Sequence, residues 1–149
     1  MRAVIQRVVR AQVESEGLRV ADMGPGLLVL VGVGRADTER DAKELARKLV
    51  EMRVFEDEDG RMNRSLVEVQ GTLGLVSQFT LWADLRKGRR PSFGAAAPAE
   101  LAEPLFDLLV EEASGLGVPV VTGRFRTSME VSLVNDGPVT LLIDTERTF

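Results

Sequence analysis

The sequence predicts a single α+β domain over residues 1–149, with a mostly antiparallel, curved or barrel-like sheet and two main helices. The chain has the length of one ordinary domain, and no stretch has the composition of a linker. Strand-like apolar segments outnumber the two segments with helical periodicity. Two helices cannot cover both faces of such a sheet, so either the sheet curls or a partner chain covers the rest, which favours a homodimer.

The first part of the chain predicts three strands. Residues 2–13 are rich in β-branched residues, residues 14–17 are typical of a turn, and residues 18–24 form a second short strand. The segment GLLVLVGVG at 26–34 is apolar without interruption. Such a run predicts a strand that is buried on both faces.

Two segments have the apolar spacing of helices. In residues 37–55 apolar residues recur at helical spacing, and Asp37 or Thr38 can cap the first turn. The second helix is predicted over 98–117. Pro104 lies inside that segment and predicts a kink or a restart, because proline lacks the N–H that a helix interior needs.

Strands complete the rest of the predicted order, βββ-α-ββ-α-βββ. An acidic segment at 56–63 predicts a solvated turn, because its carboxylates lack the spacing of a calcium loop. One or two strands follow, the second of them at 74–83. The three closing strands are expected at 118–125, 128–134 and 137–144.

The composition excludes several kinds of chemistry. The chain has no cysteine and no histidine, which excludes thiol nucleophiles, disulfides, the Ser-His-Asp triad and most zinc sites. We therefore expect neither a metal nor a cofactor. The N-terminus lacks the apolar core of a signal peptide and no apolar run is long enough to span a bilayer, so we expect a soluble, cytoplasmic protein.

The charge distribution is uneven. A net charge of −4 argues against a general nucleic-acid binder. A basic loop nevertheless concentrates four cations at 86–90: Arg86, Lys87, Arg89 and Arg90. This loop is either a solvated segment or a contact for phosphates.

Two groups of polar residues interrupt apolar segments. The first comprises Ser77, Gln78 and Thr80. Cross-strand pairing would explain one hydroxyl alone, but a cluster of donors at a strand end can also stabilise an oxyanion, as can the backbone N–H groups there. The second group, NDGPVT at 135–140, has the composition of a tight turn, and spacing alone favours that interpretation.

Together the two groups resemble the signature motifs of the D-aminoacyl-tRNA deacylases, the DTD family. These are SQFTL at 77–81 and NDGPVT at 135–140. Further segments lie in the family's order and spacing: MRAVIQRVVRAQV, GPGLLVLVGV, GRMN, RPSF and TGRF. The ordered set covers nearly the whole chain and is highly specific. Arg126 departs from the pattern, because the family tends to carry a small or neutral residue there; it can affect substrate preference or tRNA contact, or point to solvent.

The resemblance implies hydrolysis of the ester that links a D-amino acid, or glycine mischarged on tRNA-Ala, to the 3′-terminal adenosine of tRNA. It implies proofreading in translation by a homodimer with active sites at the interface, and no DNA or membrane partner. The Gly137–Pro138 bond is expected to be cis and to enter the partner's site, where it rejects an L side chain. The other implied binding residues are Asn135, Met129 and Arg7. Arg7 either supports the corner formed by Gly137 and Pro138, through a hydrogen bond to a backbone carbonyl, or lies in solvent.

The implied catalytic residues are Ser77, Gln78, Phe79 and Thr80. In one route the Thr80 hydroxyl is the nucleophile, with no evident base beside it. In the other, backbone N–H groups near Phe79 and Thr80 stabilise the oxyanion, and the ribose 2′-hydroxyl of the substrate activates water. We favour the second route, because no side chain here is a credible base at neutral pH.

Two alternatives remain at the level of the sequence. A deacylase of the same fold with a trans Gly–Pro bond could act on L-aminoacyl-tRNA. A dimeric module could instead bind the RNA end through the same polar groups without hydrolysing anything.

Overall fold

The computed structural model describes residues 1–149 and contains eight strands, two helices and one 3₁₀ turn. The strands are β1 (Arg2–Ser15), β2 (Leu18–Met23), β3 (Gly26–Gly32), β4 (Arg53–Glu56), β5 (Met62–Ser65), β6 (Thr72–Ser77), β7 (Val120–Thr122) and β8 (Met129–Asp144). The helices are α1 (Glu39–Glu51) and α2 (Ala99–Gly115), and the 3₁₀ turn is Phe79–Trp82.

The long strand β1 organises the main sheet. Its first half pairs with β3, its second half pairs with β2, and β8 pairs with it along nearly its whole length. These pairings are antiparallel, whereas β3–β6 and β6–β7 are parallel, and β4 and β5 form a separate antiparallel pair. The sheet is therefore mixed but mostly antiparallel, as predicted.

The two faces of the sheet are covered differently. Both helices pack on one face, where Ile5, Val29 and Leu75 meet Leu45 and Leu109 in the larger core. On the other face the sheet curls upon itself, so that β2 approaches β7 and a second, smaller core forms. This curling resolves the shortage of helices, and it confirms the predicted fold class. Neither helix has the length and apolar character needed to cross a membrane.

Strand β3 is buried almost throughout, as its uninterrupted apolar sequence predicted. The first helix is shorter than predicted, since it ends at Glu51 and residues 53–56 form a strand instead. Val54 and Phe55 are β-branched and aromatic, and pairing with β5 overrides the helical spacing before them.

Two further predictions were wrong in detail. The second helix does not restart at Pro104, which lies on its exposed side five residues after Ala99; the chain stays helical from Ala99 to Gly115. The strand predicted over 74–83 ends at Ser77, and the 3₁₀ turn follows it. That early ending places the polar motif at the end of a strand rather than inside one.

Candidate active site

A cavity of about 560 Å³ opens where the parallel strands β3 and β6 end. Carboxyl ends of parallel strands are a common place for ligand sites, and this volume suits a small ligand. The start of α2 and the loop before β8 form the other walls. The lining residues are mostly apolar, and the polar ones are Ser77, Gln78, Arg126 and Thr127.

The 3₁₀ turn follows the end of β6, and its first residues present backbone N–H groups there. The N–H of Gln78 donates to the Val31 carbonyl over 2.7 Å, and the N–H of Leu81 donates to the Gln78 carbonyl over 3.3 Å. The first N–H groups of such a turn, those of Phe79 and Thr80, have no acceptor within the turn itself. They are thus the backbone donors that the turn leaves for a ligand.

The side chains of this segment differ in position. Ser77, Gln78 and Phe79 line the cavity, whereas Thr80 is exposed beside it. The Thr80 hydroxyl accepts a hydrogen bond from Gln78 Nε2 over 2.5 Å. An amide N–H₂ group cannot remove a proton, so this contact does not activate the hydroxyl as a nucleophile.

Arg126 is the one charged residue that lines the cavity. The sequence supplies no histidine or cysteine, and no carboxylate is among the lining residues. No three His, Cys, Asp or Glu side chains lie together in an arrangement that could hold a metal ion. The cavity can therefore offer hydrogen bonds and shape, but it contains no protein group that would act as a general base near neutral pH.

The wall before β8 is anchored by a residue that the sequence did not indicate. Ser15 is buried, and its hydroxyl contacts Thr127 Oγ1 at 2.8 Å and donates to the Ser128 carbonyl over 3.2 Å. This anchor holds the turn that carries Arg126, which is exposed and has a left-handed backbone, φ 59°. Met129 follows on the same wall. A lone serine at a strand end carries no signal that would have predicted this role.

The NDGP motif does not reverse the chain. Asn135 pairs with Val8 and Thr140 pairs with Gln6, so residues 136–139 of β8 lie opposite the single residue Arg7 of β1. The predicted turn between two strands is instead a large bulge within one strand, because both halves of β8 pair with β1. The peptide bond between Gly137 and Pro138 is cis, and both residues are exposed.

Arg7 fills the space beneath this bulge. The residue is only 5 % exposed, although it carries a charge. Its Nε donates to the Asp136 carbonyl over 3.3 Å and lies 3.2 Å from the Asp136 carboxylate, while Nη1 donates to the Val54 carbonyl over 2.6 Å. Arg7 thus joins the bulge to β4.

The implied site residues therefore fall into two groups. Ser77, Gln78, Phe79 and Met129 share the cavity, and Thr80 lies at its edge. The corner residues Asn135, Gly137 and Pro138 are exposed and do not line the cavity of their own chain. Val131 is the lining residue of β8 nearest to these corner residues, and it lies six positions before Gly137, roughly 20 Å along a strand.

The fold is shared with solved structures. One, described as a c-Myc DNA unwinding element binding protein, is 37% identical with a TM-score of 0.92, covering 97% of this chain and 99% of that chain. Another, described as a probable eukaryotic D-amino acid tRNA deacylase, has a TM-score of 0.79 at 16% identity, covering 95% of this chain and 97% of that one, and shows the fold alone.

The curated relatives are closer in sequence. The D-aminoacyl-tRNA deacylase of Symbiobacterium thermophilum is 57% identical over 149 residues, 100% of this chain and 99% of that protein. That of Thermosipho africanus is 52% identical over the full length of both. These likenesses define the class as hydrolases that act on the ester bond of aminoacyl-tRNA. A model of the family described as D-Tyr-tRNA(Tyr) deacylase matches residues 4–144, and the chain belongs to that family.

Proposed function

We propose that this protein hydrolyses D-aminoacyl-tRNA to free D-amino acid and tRNA, and that it spares the L ester. The observation that carries the proposal is the 52–57% identity, over the full chain, to proteins named D-aminoacyl-tRNA deacylase. Residues 1–149 act as a single catalytic domain. Glycyl-tRNA is also a substrate, because a filter that rejects an L side chain has nothing to reject in glycine.

The chemistry is ester hydrolysis without a side-chain base. A water molecule attacks the ester carbonyl carbon, the bond from that carbon to the ribose 3′-oxygen breaks, and the proton released by water passes to that oxygen. The substrate's 2′-hydroxyl assists the water, and the N–H groups of Phe79 and Thr80 hold the oxyanion. Ser77 and Gln78 position the terminal adenosine. The hydrogen bond that engages the Thr80 hydroxyl supports this route over attack by Thr80.

Selection against L substrates rests on the corner of a second subunit. Gly137 and Pro138 are exposed on one chain and remote from its own cavity, which suits insertion into the cavity of a partner. The ribbon formed by β1 and β8 also exposes apolar side chains next to this corner, as expected of a homodimer interface. They are Val9, Val134, Leu141 and Leu142.

The first experiment compares D-Tyr-tRNA and L-Tyr-tRNA as substrates of the purified protein. We expect rapid loss of the D ester while the L ester persists. Loss of both esters would keep the hydrolase and overturn the chiral filter. Loss of neither, with uncharged tRNA still bound, would support a module that binds the RNA end.

A second experiment tests whether the site is shared between subunits. Ala99→Trp fills the cavity from the start of α2, and Gly137→Ala distorts the corner. Differently tagged copies of the two variants are co-expressed, and the mixed dimer is purified. One of its two sites would then combine an intact cavity with an intact corner, giving about half of wild-type activity. A mixed dimer as inactive as its parents would show that cavity and corner act within one chain.

A further inference from the structure

We infer that the basic loop Leu85–Pro91 is a phosphate-binding surface that holds the acceptor end of the tRNA beside the cavity. The inference rests on the proposed function, and it adds a contact outside the ester-binding site. It follows from where the loop is attached, from how its charges are paired, and from the charge of the rest of the chain.

The loop is attached at the rim of the cavity. It begins just after the 3₁₀ turn, and two backbone hydrogen bonds of 2.8 and 2.9 Å between Asp84 and Ser92 close its base. Beyond this base, Phe93 packs edge-on against Phe79, with ring centroids 5.1 Å apart. Phe79 itself lines the cavity and is 57% exposed. The loop is thus fixed next to the mouth at both ends.

The loop carries cations that no protein group neutralises. Arg86 is committed to Asp84, with Nε–Oδ1 and Nη2–Oδ2 distances of 2.9 and 2.7 Å. These hydrogen bonds lower the pKa of the Asp84 carboxyl to about 2, so the pair stays ionised and is neutral as a unit. Lys87, Arg89 and Arg90 are exposed and lie within 4.0 Å of no carboxylate oxygen.

Three free cations on one loop stand out in a chain whose net charge is −4. A uniform negative surface would repel RNA, so a local positive rim at the cavity mouth is where a polyanion can approach. From the closed base to the tip at Gly88 is four residues, a reach of at most about 14 Å. Each nucleotide of the acceptor end carries one phosphate, so a loop of this reach can contact phosphates next to the terminal adenosine.

The test neutralises the loop and leaves the cavity intact. The variant is Lys87→Gln/Arg89→Gln/Arg90→Gln. The matched control is Arg40→Gln/Arg47→Gln/Arg61→Gln, which removes three exposed cations that are also without an ion pair and do not line the cavity. Affinity for uncharged tRNA is measured from 50 to 200 mM salt. In parallel, kcat/KM is measured with D-tyrosyl-tRNA and with D-tyrosyl-adenosine, which has no phosphates.

In a plot of log affinity against log salt concentration, the slope for the loop variant should be less steep than that for wild type by about 2–3. Such a difference in slope amounts to a roughly 16- to 64-fold difference in how much the affinity falls over this salt range. The kcat/KM for D-tyrosyl-tRNA should fall at low salt while that for D-tyrosyl-adenosine stays unchanged, and the control should match wild type.

Three results would overturn the inference: an unchanged salt slope, an equal loss with both esters, or an equal loss in the control. Wild-type inactivity on both esters would instead overturn the proposed function. The binding measurement still tests the loop in that case.

Discussion

The cavity wall at Ser77–Thr80 and the corner at Gly137–Pro138 carry the two motifs of this protein, and they are held in different ways. The wall follows a buried strand that parallel neighbours fix on both sides, and its side chains meet other parts of the same chain in a cavity. The corner lies on an exposed bulge and meets nothing comparable in its own chain. One chain therefore assembles the groups that we propose for chemistry, but it does not bring to them the corner that we propose for selection.

The two regions also differ in what supports them. The wall depends on backbone pairing and on the apolar packing of β6, which many residues share. The bulge interrupts the β1–β8 ladder, and there the buried guanidinium of Arg7 donates a hydrogen bond to the Asp136 carbonyl. Damage to the corner should therefore come from single substitutions, whereas the wall should tolerate loss of a hydroxyl.

The largest effect is expected from Arg7→Met. The substitution leaves the Asp136 and Val54 carbonyls without their donor, which should lower the free energy of unfolding by about 2–4 kcal/mol. Arg7→Lys keeps the charge but loses the forked geometry, so its loss should be intermediate. Chemical denaturation measures the free energy of unfolding of both variants and of wild type. A loss no larger than that of Arg40→Met, at an exposed position on α1, would show that Arg7 braces nothing.

Next in size is Gly137→Ala. A Cβ at this position would lie 2.9 Å from Val139 N and 3.3 Å from Arg7 Nη2, and φ is +123°. Strain of about 1–3 kcal/mol should displace the corner and lower kcat/KM for D-Tyr-tRNA by roughly 10- to 100-fold.

Gly60→Ala is the matched control for Gly137→Ala, because Gly60 also has a positive φ, 74°, and a Cβ there would meet nothing within 4 Å. It should lose a comparable amount of stability but no activity. Equal loss of activity in both variants would mean that the corner has no special role.

A small effect is expected from Thr80→Ala. The hydroxyl is exposed and engaged by Gln78, so activity should stay within about threefold of wild type if backbone donors hold the oxyanion. The measurement is single-turnover hydrolysis of D-Tyr-tRNA. Complete loss, with folding and tRNA binding unchanged, would identify Thr80 as the nucleophile.

The smallest effect is expected from pH. Because no histidine, carboxylate, lysine or cysteine lines the cavity, the pH profile of kcat/KM should show no ionisation of the enzyme between about pH 5 and 8. Spontaneous hydrolysis of the same ester is the control, since a bend caused by the substrate's amino group appears there too. A bend found only with enzyme would reveal a catalytic side chain.

Much of the fold could be predicted because its signals are local. The uninterrupted apolar run at 26–34 predicts the buried β3, and apolar spacing predicts the main part of both helices. Predictions failed where strand pairing, rather than local preference, decides where a strand begins or ends. Phe79 and Thr80 favour strands by propensity, yet the chain tightens into a 3₁₀ turn once β6 ends.

The candidate site was predictable in its motifs and not in its geometry. Ser77–Thr80 and NDGPVT stand out in the sequence, but the hydrogen bond between Ser15 and Thr127 does not. Asn-Asp-Gly-Pro composition fits a reversing turn and a bulge equally well, because both need the same backbone freedom. Only pairing of β1 with both halves of β8 decides between them.

The sequence by itself determined the fold class, the family and the absence of histidine and cysteine chemistry, since composition and ordered motifs are properties of the chain alone. The tertiary structure decided where the two motifs lie: one in a cavity, the other exposed on β8 above Arg7. The physical reason is that this placement depends on pairings between residues more than a hundred positions apart, such as Arg7 with Asp136. No local pattern encodes such a contact.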